Sequence, residues 1–343
     1  MRRMCFLIRG GTLIPFRNKI PRPLRVGLLV TVFVFAASFL AAQSGINGHS
    51  LSVGTSVGLM SGEIEEIVFI NGVSDEKISQ LNWQIKPLFY AGLDLNYGWQ
   101  KNDSRISLFS NASFKFGFPA KTGTMEDRDW MEYSGGNYYP AYPWLNFYSE
   151  HENRTKLAFL AGLDFGVAFK LVHDLKIKAF LSYNIMFYSW EAFGGSHLYP
   201  PGYMPNSHDT WNSSEKIITY KQFYNIISPG VSFYGEFNRL FNAEVSFKIT
   251  PLVFIAAEDN HIKNSTVYKD KPLWGVFIEP ELIFSFNASK LITVYMSYSY
   301  RGIFGSRGKS VGYVGGKTEQ YGDSAGAGYS AHNTAVAVKF NLF

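Results

Sequence analysis

Two short stretches hold the residues best placed to do chemistry. In 124-TMEDRDWMEYSGG-136, Asp127 and Asp129 stand two apart, and in 258-EDNHIKN-264 the same spacing joins Asp259 to His261. Residues two apart in extended backbone face the same way, about 7 Å from each other. Carboxylates that close repel, so one can hold a proton near neutral pH, and such a pair can bind and deprotonate a water. A carboxylate beside an imidazole fixes its tautomer and supports its charged form, the relation of a general base to its orienting partner. Either pair alone is also what a solvated polar loop contains. Their meaning rests on the elements that carry them.

Those elements alternate. In 157-LAFLAGLDFGVAFKL-171 the odd positions are apolar and the even ones include Gly162, Asp164, Gly166 and Lys170. The same dyad runs through 83-WQIKPLFYAGLDLNYGW-99, 274-WGVFIEPELIFSF-286 and 292-ITVYMSYSY-300. One wholly apolar face opposite a face of small and charged residues predicts a transmembrane β-barrel, lipid outside and polar side chains inside. Turn signals give ten strands, near 50–69, 82–99, 104–118, 145–171, 175–191, 216–238, 242–258, 272–287, 291–303 and 331–343. QKND, VHDL, RLFN and ASK make tight connections, whereas 119–144, 192–215, 259–271 and 304–330 read as long loops. Short periplasmic turns and long outer loops are the asymmetry of such barrels. Both pairs then fall at the outer end. Several strands exceed the ~9–11 residues that cross a bilayer, so the barrel should stand well above it. An interior filled by side chains disfavours a pore.

The N-terminus reads as a separate segment. Residues 2–25 carry seven basic residues and no acid, and lead into VGLLVTVFVFAASFL and AAQS. This predicts a secretory signal peptide over 1–42, cut near Ala42, and a single mature domain over 43–343. The formal charge of +5 comes from 32 basic and 27 acidic residues, and without those seven it becomes about −2. The basic balance therefore carries no nucleic-acid reading. Cys5, the only cysteine, leaves with the leader, which excludes disulfides and thiol chemistry from the mature chain. After the leader no run of eighteen apolar residues occurs, so no spanning helix is expected.

Two details resist simple alternation. Val245, Phe247, Ile249, Val253 and Ile255 form one apolar row, and Asp259 and His261 continue its parity. For that dyad to face inward, a bulge or twist must intervene. At the end of the chain, AVAVKFNLF puts Phe343 out of phase with Val336, Val338, Phe340 and Leu342.

The chain resembles the omptins, ten-stranded outer-membrane endopeptidases. The resemblance rests on 61-SGEIEEIVFINGVSDEKISQLNW-83, 125-MEDRDWME-132, 219-TYKQF-223 and 259-DNH-261, in family order over about 50–343. It implies peptide hydrolysis by an activated water, with no acyl-enzyme, cofactor or metal. His261 would act as base, oriented by Asp259, while Asp127 positions the water and Asp129 tunes Asp127. Ser61, Ser134 and Ser213–Ser214 lack a supporting His and acid, and one histidine is a poor zinc site. The family's acids for a basic substrate side chain fall on Glu66 and on Ala257, where the charge is missing. Glu258 points to the other face, although Glu63 and Glu65 stand close to Glu66. A residual, weaker preference for basic residues is expected. The family's outward lipid A clamp falls on Ile185, Phe187 and Phe223, with Tyr183 surviving, so a lipopolysaccharide clamp is expected to be absent. A monomer acting on extracellular polypeptides follows. The alternative is a catalytically inactive barrel serving as adhesin or binding platform, for which the Tyr-rich loops 137–144 and 198–205 would serve equally.

Overall fold

A computed structural model describes residues 48–70, 76–101, 104–134, 137–141, 144–172, 174–199 and 208–342 (the side chains of 133–139, 208 and 209 excepted). The leader expected over 1–42 and Phe343 lie outside the described residues. The rest forms ten antiparallel staves. The first two are β1 (His49–Phe69) and β2 (Lys77–Gln100). The third is split into β3 (Ile106–Gly117) and β4 (Ala120–Asp129), then a small hairpin of β5 (Met131–Ser134) and β6 (Asn137–Pro140). Three follow unbroken, β7 (Phe147–Val172), β8 (Leu175–Leu198) and β9 (His208–Glu236). The seventh joins β10 (Phe241–Thr250) to β11 (Val253–His261), and the eighth β12 (Thr266–Leu273) to β13 (Val276–Asn287). The ninth joins β14 (Ile292–Phe304) to β15 (Arg307–Val314), and β16 (Lys317–Asn341) is the tenth.

β16 pairs with β1 and closes the ring, leaving no edge. At the short-turn end the ring uses β3, β10, β13 and β14. At the far end β4, β11, β12 and β15 take their places, so the closed wall continues upward. The expected ten-stranded barrel is therefore correct, but the expected long loops are not. The segment 119–144 contains β4 and the hairpin, and 192–215 contains the end of β8 and the start of β9. The segment 259–271 shrinks to a turn at 262–265. The segment 304–330 is a hairpin turning on Gly315 and Gly316, with φ of +55° and +79°. Both left-handed residues suit a two-residue turn whose twist matches its strands. These stretches hid in the sequence because above the membrane both faces of a strand can be polar, which erases alternation.

Exposed apolar side chains fix the membrane level. Val57, Leu93, Phe114, Phe165, Phe247 and Phe284 belong to an outward band at the short-turn end. Its upper edge passes Phe89, Phe118, Leu157, Phe254 and Trp274. Just above that edge the outward residues turn basic, with Lys86, Lys121, Lys156, Lys221 and Lys271 all exposed. Tyr183, Ile185 and Phe187 share the outward face of β8, where Phe187 stacks on Phe159 and the Tyr183 hydroxyl donates to Asn225 Oδ1.

Inside the band the barrel is plugged by charge. Arg301 donates to Glu279 at 3.1 Å, and Lys248 lies 3.5 Å from Glu279 and 3.6 Å from Asp164. Glu279→Ala would leave two buried cations without their main counter-charge. A loss of about 3–5 kcal/mol is expected, read as a lower midpoint of denaturant unfolding in detergent. Above the plug lies an aromatic floor. Trp83 stacks on Tyr220 (5.4 Å) and Trp190 (5.9 Å), and Trp190 on Tyr188 (5.2 Å).

At the waist, where the apolar band ends, the seventh stave changes phase. Val245, Phe247 and Ile249 point outward, at 51, 42 and 48 % exposure, whereas Val253 and Ile255 are 1 and 3 % exposed. The apolar row expected across these five residues is thus two rows on opposite faces. Lys248 pairs with Gly230 of β9 and Val253 with Ile226, so five steps on this stave oppose four on β9. One extra residue at Pro251–Leu252 is a β-bulge, and Pro251 has no N–H to offer the ladder. The bulge turns Asp259 inward.

Candidate functional site

The upper chamber holds a cavity of about 500 Å³ lined by Glu66, Asp127, Asp129, Asp259, His261 and Asp270, with apolar contributions from Val68, Phe69, Leu81 and Ala325. It brings together every residue singled out in the two opening stretches. Asp127 and Asp129 lie on β4 rather than in a loop, facing Leu81 and Ser79 of β2. The Ser79 hydroxyl is close enough to both carboxyls to favour their ionised forms. Asp259 and His261 lie at the tip of β11, between β9 and β12. β4 and β11 are four places apart in a ring of ten, so the two pairs come from near-opposite walls. Asp259 and His261 are directly bonded, Oδ2 to Nε2.

The electrostatics are those of carboxylates packed together out of water. Burial pushes Asp127 well above the usual carboxylate range, and Asp129 beside it pushes it further, while His261 opposes both. Asp129 is raised to about 6, again by burial, against the Ser79 hydrogen bond and His261. Burial alone would lower His261, but Asp259 outweighs it, and Asp127 and Asp129 add to bring the imidazole to about 9. Interacting groups of this kind take up and release protons as a unit.

Glu66 faces the same cavity from β1, 3 % exposed. Glu63 and Glu65 do not join it; they sit on the opposite face of β1, and Glu65 accepts from Gln80 at 3.0 Å. Ala257 faces inward and brings no charge, while Glu258 points outward to Lys221, 3.0 Å away. Sequence reasoning missed Asp270. It stands directly across from Ala257 in the β11–β12 ladder and is 5 % exposed. Burial raises it to about 6 against a hydrogen bond from Ser310, and Asp259 adds to the rise. The signal was its parity within a strand, which reading 259–271 as a loop concealed. Ser79 was visible only as part of the K-I-S-Q-L-N-W run.

A closed ten-stranded barrel with an apolar belt and an acidic upper chamber defines an outer-membrane β-barrel protein. The Omptin family model matches residues 47–342, and the chain belongs to that family. Outer membrane protease OmpP of Escherichia coli (strain K12) is 27 % identical over 249 residues, 71 % of this chain and 74 % of that protein. Outer membrane protease IcsP of Shigella flexneri is 26 % identical over 231 residues, 65 % and 67 % respectively. In fold, the chain is similar to the crystal structure of outer membrane protease OmpT from Escherichia coli, with a TM-score of 0.72 and 18 % identity over 85 % of this chain and 97 % of that one. These relatives support a protease function in the outer membrane for this chain.

Proposed function

We propose that the protein is an endopeptidase that hydrolyses polypeptides with a water held between Asp127–Asp129 and Asp259–His261, without a metal. The observation that carries this reading is the convergence of both pairs, from opposite walls, on one cavity. The reactive form keeps one proton on Asp127 and leaves His261 neutral, a state equal in charge to imidazolium beside an ionised Asp127. Asp127 holds the water, and Asp129 keeps the proton on Asp127 by repulsion. His261, fixed by Asp259, takes a proton as the water oxygen bonds to the peptide carbon. It returns that proton to the nitrogen as the C–N bond breaks. Glu66 contributes to holding a basic side chain beside the scissile bond.

The short turns mark the periplasmic end, so the chamber opens outside the cell. Ile185, Phe187 and Phe223 put apolar side chains where the family's lipid clamp falls, and the exposed Lys156 and Lys221 above them pair with Glu191 and Glu258, which supports activity without that clamp, in a monomer.

The test is cleavage of a mixed peptide library by the barrel refolded in lipopolysaccharide-free detergent, with and without a chelator. Cleavage should survive chelation, and kcat/KM should be bell-shaped in pH. It should rise as pH passes about 6, where the carboxylate pair gives up its second proton, and fall near 9, where the last shared proton is lost. Chelator-sensitive cleavage would overturn the metal-free reading, and a folded barrel that cuts nothing would favour the binding platform.

A further inference from the structure

Among the described residues, five carboxyl groups line the chamber and only one side chain there, His261, can become a cation. His261 is taken up by Asp259. Glu66 and Asp270 stand apart from that pair on β1 and β12, separated in the ring by β15 and β16, which add Ser310, Ser324 and Ala325 to the cavity wall. Glu66 Oε2 and Asp270 Oδ1 are both buried and have no hydrogen-bond partner among the described residues. The Tyr220 hydroxyl, close enough to Glu66 and Asp270 to feel their charge, is likewise buried and unpartnered. Buried carboxyl oxygens left unpaired are costly. Two of them facing one cavity call for a donor-rich cation. The neighbouring Val68, Phe69 and Ala325 offer apolar surface for the methylene stem that lysine and arginine carry behind their charge.

We propose that Asp270, acting with Glu66, forms the pocket for a basic substrate side chain and restores, from the adjacent strand, the charge that Ala257 lacks. The inference rests on the endopeptidase reading and deepens it. Ala257 and Asp270 are cross-strand partners, so a carboxylate at either position projects into the same space. The preference for basic residues is then undiminished rather than weakened. Arginine, with five donors, can satisfy both carboxylates and the tyrosine hydroxyl at once. Burial raises both acids above the usual carboxylate range, and an arriving guanidinium favours their ionised forms.

The experiment uses the full chain refolded in detergent and alanine-based peptides carrying a single arginine or a single methionine. Asp270→Asn should lower the arginine-to-methionine ratio of kcat/KM by about thirtyfold or more, chiefly through KM. Adding Ala257→Asp to that variant should restore most of the ratio, which a merely structural role for Asp270 would not allow. Should Asp270→Asn fail to fold, Ala257→Lys leaves Asp270 in place and sets a cation against it, with the same loss expected. Calorimetric binding of the two peptides to His261→Ala separates this inference from the catalytic one. Arginine-selective binding that depends on Asp270 sustains it even if no variant cleaves. An unchanged ratio in Asp270→Asn, or equal binding of both peptides to His261→Ala, overturns it.

Discussion

His261→Ala should lower kcat by about 10³- to 10⁴-fold while leaving the barrel folded and substrate binding nearly intact. The imidazole sits at the tip of β11, beside the turn at 262–265, and carries none of the ladder or the aromatic floor. Its removal deletes the base and the proton carrier together, so water would have to attack without either. Asp259→Asn should fall short of that loss, because the imidazole remains but loses its orienting charge. The check is single-turnover cleavage with the barrel's folded state confirmed by its heat-dependent electrophoretic mobility. If His261→Ala cleaves within tenfold of the parent, His261 is not the base.

Insertion of one alanine between Ile255 and Ala256 should abolish cleavage altogether, to below about 10⁻⁴ of the parent rate if both halves of the dyad are lost. The added residue would move every later side chain of β11 to the opposite face. Asp259 and His261 would then face solvent, and Glu258 would enter the chamber in their place. Many substitutions at Leu252 should by contrast be tolerated, since the residue count sets the phase and the side chain does not. Cleavage assays on the insertion and on Leu252→Ala check this, and retained activity in the insertion would show that phase is set elsewhere.

The seventh stave also shows how far a sequence can be read here. Alternation was plain wherever a strand met lipid on one face, as at 157–171, because lipid demands an unbroken apolar row. Above the waist that demand ends, so β4, β12 and β15 looked like polar loops although they are wall. Asp127, Asp129, Asp259, His261 and Glu66 were legible through short spacings and family likeness. The need for a phase change before Asp259 was legible too, but its place was not, since Val253 and Ile255 suit a lipid face and a protein interior equally. Asp270 escaped because its importance comes from a partner across the ladder, and pairing between strands leaves no mark in either one alone.

The aromatic floor beneath the chamber has an optical consequence. Tyr188, Trp190, Trp83 and Tyr220 stack in succession, each ring within 6 Å of the next. Chromophores held so close and in fixed orientation share their excited states, and the sharing depends steeply on separation and tilt. Tyr220 both completes that array and stands across the ladder from Asp259. The protein thus carries its own spectroscopic gauge, in which a substrate settling on the acids above would register as a change in the ultraviolet dichroism of the rings below.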